Sequence, residues 1–210
     1  MSLRIKICGI TSHADAFAAA EAGAHALGFM FYERSPRAIS PAAAAEIIRQ
    51  LPPFVAKVGV FVDAPQEFIR QTISQCGLDT LQFHGGESSA FCSQFDLRTI
   101  KAFRVRGEET LRELPAYETS AWLLDSFVPD QFGGTGAKFN WELASAAKKL
   151  GRPIILAGGL TPENVGEAVR QVQPYGVDVS SGVEAKPGRK DHGKIRAFVE
   201  AALLASSKSK

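Results

Sequence analysis

Short apolar runs alternate with segments of helical periodicity along the whole chain. Eight runs are typical of strands because they are short, rich in branched and aromatic residues and bounded by turn residues: Leu3–Cys8, His25–Phe31, Ala56–Val62, Thr80–Phe83, Arg98–Phe103, Ala121–Ser126, Pro153–Ala157 and Val177–Ser180. Eight helices are predicted to follow them, over Ser12–Ala22, Ala42–Leu51, Pro65–Cys76, Glu87–Phe95, Glu108–Leu114, Asn140–Leu150, Pro162–Gln173 and Lys190–Leu204.

This alternation predicts an α/β fold with eight parallel strands. A chain of strand-then-helix units forms a parallel sheet with right-handed crossovers. Closing that sheet gives a single (β/α)8 TIM barrel, which we favour over a doubly wound sheet with two free edges and usually fewer strands. We expect residues 1–205 to form the barrel domain and residues 206–210 a disordered tail, since the last five residues are only Ser and Lys.

Capping residues support the predicted helix starts. Ser12 with Asp15 resembles a capping box, and Ser40-Pro41 is typical of a helix start. Thr161-Pro162-Glu163 predicts that the seventh helix begins there. The glycine-bearing stretch over residues 126–139 is the longest irregular segment and is expected to be a functional lid.

Composition narrows the function classes. The hydrophobic fraction of 45% and charged fraction of 22% are ordinary for a globular domain, and the formal net charge of +2 is too small to argue for nucleic acid or a membrane surface, so we expect neither as a partner. No segment looks like a signal peptide or a membrane helix, so we expect a cytoplasmic protein. Three cysteines at unrelated spacings fit neither a disulfide framework nor a zinc site, and we expect no metal or organic cofactor. The oligomeric state, monomer or homodimer, is left open.

The end of the seventh and eighth strands predicts a phosphate site. Gly158-Gly159 follows the seventh strand and Ser180-Ser181-Gly182 ends the eighth. Glycines let backbone N–H groups approach an anion, serine hydroxyls add donors, and barrels commonly bind phosphate at these two loops. Tight turns alone would explain either motif, but the two together favour a phosphorylated small-molecule substrate.

Two further residues could carry acid–base chemistry. Cys8 ends the first strand and Asp125 the sixth, and the active site of this fold lies at the carboxyl ends of the strands. A sugar attached to a phosphate at strands seven and eight would lie between them, so one group could protonate it while the other removes a proton. Each also has a plainer interpretation, as a core cysteine and as a loop-capping aspartate.

Polar residues inside the strands suggest a network beneath the substrate. Lys6 shares a face with Cys8, and Asp178 shares one with Ser180. Because buried charges need partners, we hypothesise that Lys6 and Asp178 interact, with Lys101 as a possible third member. Arg37 could clamp a carboxylate or be a solvated surface arginine. We assign His84 no catalytic role.

The motifs resemble the phosphoribosylanthranilate isomerase family from Arg4 to about Phe198. The resemblance rests on Lys6–Thr11, Gly28-Phe29, Ser35-Pro36-Arg37, Gln82–Gly85, Leu124-Asp125-Ser126, Gly133–Gly136, Gly158-Gly159-Leu160 and Asp178–Glu184. It implies an Amadori rearrangement in tryptophan biosynthesis, converting N-(5-phosphoribosyl)anthranilate to 1-(2-carboxyphenylamino)-1-deoxyribulose 5-phosphate.

The resemblance also implies roles. Asp125 would be the general acid that opens the ribose ring, and Cys8 the general base that removes the proton on C2. Arg37 would hold the anthranilate carboxylate, Asp178 would support the intermediate, and the loops after strands seven and eight would hold the phosphate. Such chemistry calls for a raised pKa at Asp125 and a lowered pKa at Cys8.

Two positions depart from the family pattern, and two other functions remain open. Gly86 stands where an acidic residue is usual, and Ala137 where a longer polar residue is common. The related isomerase of histidine biosynthesis uses a carboxylate where Cys8 stands here, which argues against that reaction. A silent phosphosugar-binding barrel would have no use for Cys8 and Asp125 on opposite walls.

Overall fold

Eight parallel strands close into a barrel in the computed structural model, which describes residues 2–125 and 136–207. The strands follow one another around the ring in chain order: β1 (Arg4–Cys8), β2 (Ala26–Met30), β3 (Ala56–Phe61), β4 (Thr80–Phe83), β5 (Arg98–Arg104), β6 (Ala121–Asp125), β7 (Ile154–Ala157) and β8 (Gly176–Val179). Strands β1 and β8 pair in parallel with Lys6 opposite Asp178, which completes the ring. The predicted TIM barrel is confirmed.

A helix lies between each strand and the next, and one follows the last strand. The helices are α1 (His13–Glu21), α2 (Pro41–Ile48), α3 (Gln66–Cys76), α4 (Ser89–Cys92), α5 (Glu108–Glu113), α6 (Gly136–Ala147), α7 (Val165–Val172) and α8 (His192–Ser207). Ser12 and Ser40 cap α1 and α2 as predicted, since their hydroxyls accept hydrogen bonds from the backbone N–H groups of Asp15 and Ala43, both at 3.2 Å. None of the helices in the described part of the chain is long and apolar enough to cross a membrane.

Four helix predictions were wrong at their starts by two residues or more: those of α4, α6 and α7, and that of α8, which begins at His192 rather than at Lys190 because Lys190 lies in β10. Helix α7 begins at Val165 rather than Pro162, because the Asn164 side chain organises residues 159–161 into a turn ahead of the helix. Helix α4 begins at Ser89 rather than Glu87, because the Glu87 carboxylate is buried and hydrogen-bonded to the ends of other strands.

The expected lid lies largely outside the described residues. Its residues 126–135 are not described, and the helix α6 begins at Gly136, four residues before the predicted start at Asn140. The departure noted at Ala137 also lies outside the described side chains.

An additional hairpin follows β8. A short helical turn over Ser181–Val183 leads into β9 (Glu184–Lys186), which pairs antiparallel with β10 (Arg189–Lys190). The hairpin was not predicted, since its two- and three-residue strands are too short for an alternating pattern. Helix α8 then runs through Ser207, two residues into the predicted tail.

The strands pack against different residues on their outward and inward faces. The outward faces of the strands and the helices share a large apolar core, including Ile5, Leu27 and Phe198. Inside the barrel, strands β5–β7 contribute a separate apolar cluster of Ile100, Ala102, Ala121, Leu123, Ile155 and Ala157. The inward faces of β1 and β8 carry the ion pair of Lys6 and Asp178 instead.

Candidate active site

Cys8 and Asp125 each end a strand at the same mouth of the barrel. Cys8 is the last residue of β1 and Asp125 the last residue of β6, with β7 and β8 between them around the ring. By alternation, Asp125 continues the inward-facing series of Ala121 and Leu123. Both predicted acid–base residues therefore belong to the barrel mouth and not to the helical shell.

The environment of Cys8 combines burial with charge. Its exposed fraction is 6%, and the Lys6 amine beside it donates to Asp178 Oδ1 at 2.9 Å. The absence of a side chain at Gly28 provides the space: a Cβ there would lie 2.8 Å from Cys8 Sγ and 3.0 Å from Lys6 Nζ. The hypothesised contact between Lys6 and Asp178 is confirmed.

Burial raises the pKa of the Cys8 thiol, while the positive charge of Lys6 lowers it only in part. This net direction is opposite to the lowered pKa that the general-base chemistry calls for at Cys8, a shift that the sequence itself could not show. Burial also lowers the pKa of Lys6, but Asp178 and Cys8 outweigh that effect and the net shift is upward. Lys6 accordingly remains a cation at neutral pH.

Asp125 faces a histidine that the sequence analysis left without a role. His84 Nε2 lies 3.4 Å from Asp125 Oδ2, and both side chains are about one-fifth exposed. On the other side of the ring, Gln82 Nε2 lies 3.0 Å from His84 Nδ1. When the amide donates to Nδ1, the ring proton is on Nε2 and points toward the carboxylate. His84 is thus a polar partner of Asp125.

The two predicted phosphate loops contact each other. Gly158 and Gly159 follow β7 with φ angles of +82° and +63°, a region that favours glycine. A Cβ on Gly182, in the loop after β8, would clash with the carbonyl oxygen of Leu160. The fold therefore brings the glycines of both loops into one wall of the mouth, with Ser180 partly buried and Ser181 exposed beside them.

Asn164 stabilises the turn that holds Gly159. Its Oδ1 accepts from the backbone N–H of Thr161 at 2.8 Å, and its Nδ2 donates to the carbonyl of Gly159 at 2.9 Å. The turn after β7 is thereby connected to the beginning of α7.

Arg37 is part of an ion pair. Its Nε and Nη2 donate to the two carboxylate oxygens of Glu184 at 2.8 and 2.7 Å. It is therefore not simply a solvated surface arginine, since its side chain is 22% exposed and held at the edge of the mouth.

A buried lysine completes this cluster. Lys190 Nζ donates to Glu184 Oε1 at 3.0 Å and to the carbonyl of Ser180 at 3.1 Å. Its side chain is completely buried. The hairpin β9–β10 therefore connects the loop after β8 to Arg37 in the loop after β2.

Lys101 lies elsewhere. On alternation it points away from the interior residues Ile100 and Ala102, and its amine donates to Glu87 Oε2 at 3.0 Å. Glu87 also accepts from the backbone N–H groups of Asp63 and Gly85, both at 2.9 Å. The suggestion that Lys101 joins Lys6 and Asp178 is wrong, because it secures the loops after β3 and β4 instead.

Three residues of the site were missed as participants: His84, Glu184 and Lys190. His84 shares a face of β4 with Gln82, which was the available signal. Glu184 and Lys190 lie in a loop whose partners are far away in sequence, so no local pattern pointed to them. Among residues 2–125 and 136–207 there is no group of three or more His, Cys, Asp or Glu that could hold a metal ion.

Comparisons with known proteins agree with this geometry. The family model described as N-(5'-phosphoribosyl)anthranilate (PRA) isomerase matches residues 5–201. A relative of that name from Geobacter sp. (strain M21) is 60% identical, over 93% of this chain and 96% of its own.

Solved structures give the same result. A phosphoribosyl anthranilate isomerase in complex with reduced 1-(o-carboxyphenylamino)-1-deoxyribulose 5-phosphate is 42% identical with a TM-score of 0.86, covering 95% of this chain and 98% of the other. A structure of monomers generated from the dimeric enzyme of Thermotoga maritima is 39% identical with a TM-score of 0.85 at the same coverage. The chain belongs to the phosphoribosylanthranilate isomerase family.

Proposed function

We propose that this chain catalyses the Amadori rearrangement of N-(5-phosphoribosyl)anthranilate in tryptophan biosynthesis, with Asp125 as general acid and Cys8 as general base. The observation that carries the assignment is the placement of the thiol and the carboxyl at one barrel mouth, separated by the two glycine-bearing loops after β7 and β8. Membership of the family supports the reaction.

In the first step, Asp125 gives a proton to the ring oxygen of the ribose. The bond from that oxygen to C1 breaks while the nitrogen lone pair forms a Schiff base with C1. His84 Nε2, 3.4 Å from Asp125 Oδ2, keeps the carboxyl directed into the mouth.

In the second step, the thiolate of Cys8 takes the proton from C2. The electrons of that C–H bond form a double bond between C1 and C2 while the π electrons of the C1=N bond return to the nitrogen, and the resulting enolamine tautomerises to the ketone product. Lys6 favours the thiolate because its charge lowers the pKa of Cys8, opposing the effect of burial.

Binding is assigned to the two sides of the mouth. Backbone N–H groups and hydroxyls at Gly158-Gly159 and Ser180-Ser181-Gly182 hold the phosphate. Arg37 binds the anthranilate carboxylate, and Asp178 supports the intermediate through Lys6.

The test is turnover of N-(5-phosphoribosyl)anthranilate, followed by the loss of anthranilate fluorescence. We expect Cys8→Ala and Asp125→Asn each to lower kcat by at least about 10²-fold, because general acid–base groups contribute that much or more. Both variants should still bind inorganic phosphate as the wild type does.

Cys92→Ala is the matched control, since Cys92 is 1% exposed and lies in α4 away from the mouth. It should keep wild-type turnover. Wild-type turnover in Cys8→Ala or in Asp125→Asn would overturn the corresponding role, and no turnover by the wild type would overturn the function.

We further propose that the chain forms a homodimer through the amino-terminal end of the barrel. Phe54 is 96% exposed there and borders a cavity of about 540 Å³, whose lining combines apolar residues such as Val58 and Ile155 with polar ones such as His25 and Arg98. A two-fold axis would place each Phe54 in the cavity of its partner, which would remove both apolar surfaces from water.

The remaining expectations stay predictions. A cytoplasmic location rests on the biosynthetic reaction of the family, and the absence of a nucleic-acid or membrane partner rests on the small net charge. Catalysis without a metal or organic cofactor rests on the sufficiency of one acid and one base for this rearrangement.

A further inference from the structure

Arg37 presents two different edges. A guanidinium can bind a carboxylate with the pair Nε and Nη2 or with the pair Nη1 and Nη2. Glu184 occupies the first edge with bonds of 2.8 and 2.7 Å. Within the described residues Nη1 makes no hydrogen bond, so the second edge has the donors to bind another carboxylate.

The exposed fraction of the side chain increases from Lys190 through Glu184 to Arg37. The Lys190 side chain is 0% exposed, that of Glu184 is 5% and that of Arg37 is 22%. Lys190 is fixed in turn by the carbonyl of Ser180. The ion pair therefore differs from a flexible surface pair: its inner members cannot move without exposing or unpairing a buried charge.

Close contacts restrict the Arg37 side chain as well. A Cβ on Gly9 would lie 2.6 Å from Arg37 Cδ, so the loop after β1 packs directly against the aliphatic part of the arginine. A Cβ on Gly188 would lie 2.7 Å from the carbonyl oxygen of Pro36, so the hairpin turn packs against the preceding residue. Glycine at both positions lets these loops close on Arg37.

The cluster carries an excess positive charge. One carboxylate, on Glu184, is shared by two cations, Arg37 and Lys190. A substrate carboxylate bound to the free edge of Arg37 would bring the charges into balance. This balance favours an anionic aromatic group over a neutral one at the edge of the mouth.

We propose that Glu184, anchored by Lys190, is a positioning residue that holds one edge of Arg37 and thereby directs the other edge to the substrate's carboxylate. The proposal rests on the role of Arg37 in the proposed function. In this arrangement the hairpin β9–β10 determines selectivity for a carboxylated ring without contacting the substrate.

The test is a double-mutant cycle on binding. The probe is reduced 1-(o-carboxyphenylamino)-1-deoxyribulose 5-phosphate, and its counterpart is the same compound without the ring carboxylate, both titrated by calorimetry. We expect Glu184→Gln to lower the affinity for the carboxylated compound by about tenfold and to leave the affinity for the other compound unchanged. In an Arg37→Met background, Glu184→Gln should cause no further loss.

Kinetics and a matched control separate positioning from a general structural role. With N-(5-phosphoribosyl)anthranilate, Glu184→Gln should raise KM far more than it lowers kcat. Glu46→Gln makes the same chemical change in an exposed pair with Arg49 on α2 and should alter neither binding nor kinetics. If Glu184→Gln does not fold, Glu184→Asp, which keeps the charge and shortens the reach, should give the same selective loss.

The proposal would be overturned if Glu184→Gln lowered the affinity for both compounds equally or lowered neither. It would also be overturned if the losses of affinity caused by Glu184→Gln and Arg37→Met were additive. A wild-type chain without turnover would overturn the proposed function instead, while the binding cycle would still decide whether Glu184 positions Arg37.

Discussion

The thiol of Cys8 is subject to two opposing influences at the end of β1. Burial raises its pKa, and the neighbouring Lys6 amine lowers it in part. Burial is the larger influence, so the net shift of the Cys8 pKa is upward. The balance makes Lys6 the residue that controls how much thiolate is present at a given pH.

Replacing Lys6 should therefore move the pH dependence of catalysis. In Lys6→Met the pKa of Cys8 rises further, so less thiolate exists at each pH. The limb of kcat/KM that reflects deprotonation of Cys8 should shift to higher pH. Alkylation of Cys8 by iodoacetamide, measured in a Cys76→Ser, Cys92→Ser background, should shift in the same direction.

Lys57→Met provides the comparison for this shift. Lys57 pairs with Asp79 at 3.1 Å near the start of β3, and both side chains are partly exposed. Lys57→Met should not shift the limb of the kcat/KM profile that reflects deprotonation of Cys8. An unchanged limb in a folded Lys6→Met protein would contradict the assigned influence of Lys6 on the thiol.

Part of this residue-scale picture could be predicted from the sequence. Alternation along β1 and β8 places Lys6 and Asp178 on inward faces, and adjacency of the first and last strands in a closed barrel brings them together. The pair Arg37–Glu184 could not be predicted, because it joins residues 147 positions apart in two irregular loops. The net direction of the Cys8 pKa shift could not be predicted either, because the burial that raises the pKa is not visible in a motif.

At the scale of elements, the turn between β7 and α7 depends on one amide side chain. Asn164→Ala removes the hydrogen bonds to Thr161 and Gly159, and we expect a loss of about 1 kcal/mol in the free energy of unfolding. It should also weaken the binding of inorganic phosphate severalfold, since Gly159 is no longer held in place.

Ser40→Ala is the control that separates the loss of stability from the loss of phosphate affinity. It removes the cap of α2, with an expected cost of about 1 kcal/mol, but contacts neither phosphate loop. Denaturant unfolding and phosphate titration of both variants provide the measurement. Equal phosphate affinity in Asn164→Ala and the wild type would show that the turn does not depend on Asn164.

The elements themselves could be predicted to different degrees. Periodicity identifies all eight strands, since their buried apolar runs are unambiguous. The start of α4 was mispredicted because Glu87 has a high helix propensity. Its carboxylate instead accepts hydrogen bonds from the backbone N–H of Asp63 and from the amine of Lys101. Tertiary hydrogen bonds of this kind override local preference.

At the scale of the whole molecule, the exposed Phe54 is the feature that a partner would explain. Phe54→Ala should shift the chain from dimer to monomer in analytical ultracentrifugation, because it removes the group proposed to fill the partner's cavity. Leu204→Ala, at a residue 60% exposed on α8, should not change the sedimentation. A wild-type chain that sediments as a monomer at all concentrations would contradict the homodimer.

Closure of the ring between β1 and β8 has a consequence for biosynthesis of the protein. Lys6 emerges early from the ribosome, yet its partner Asp178 is made 172 residues later. Until then the nascent chain carries an unneutralised lysine beside a cysteine that has no barrel mouth around it. The ring can therefore close only in the final stage of synthesis, once β8 is available to pair with β1.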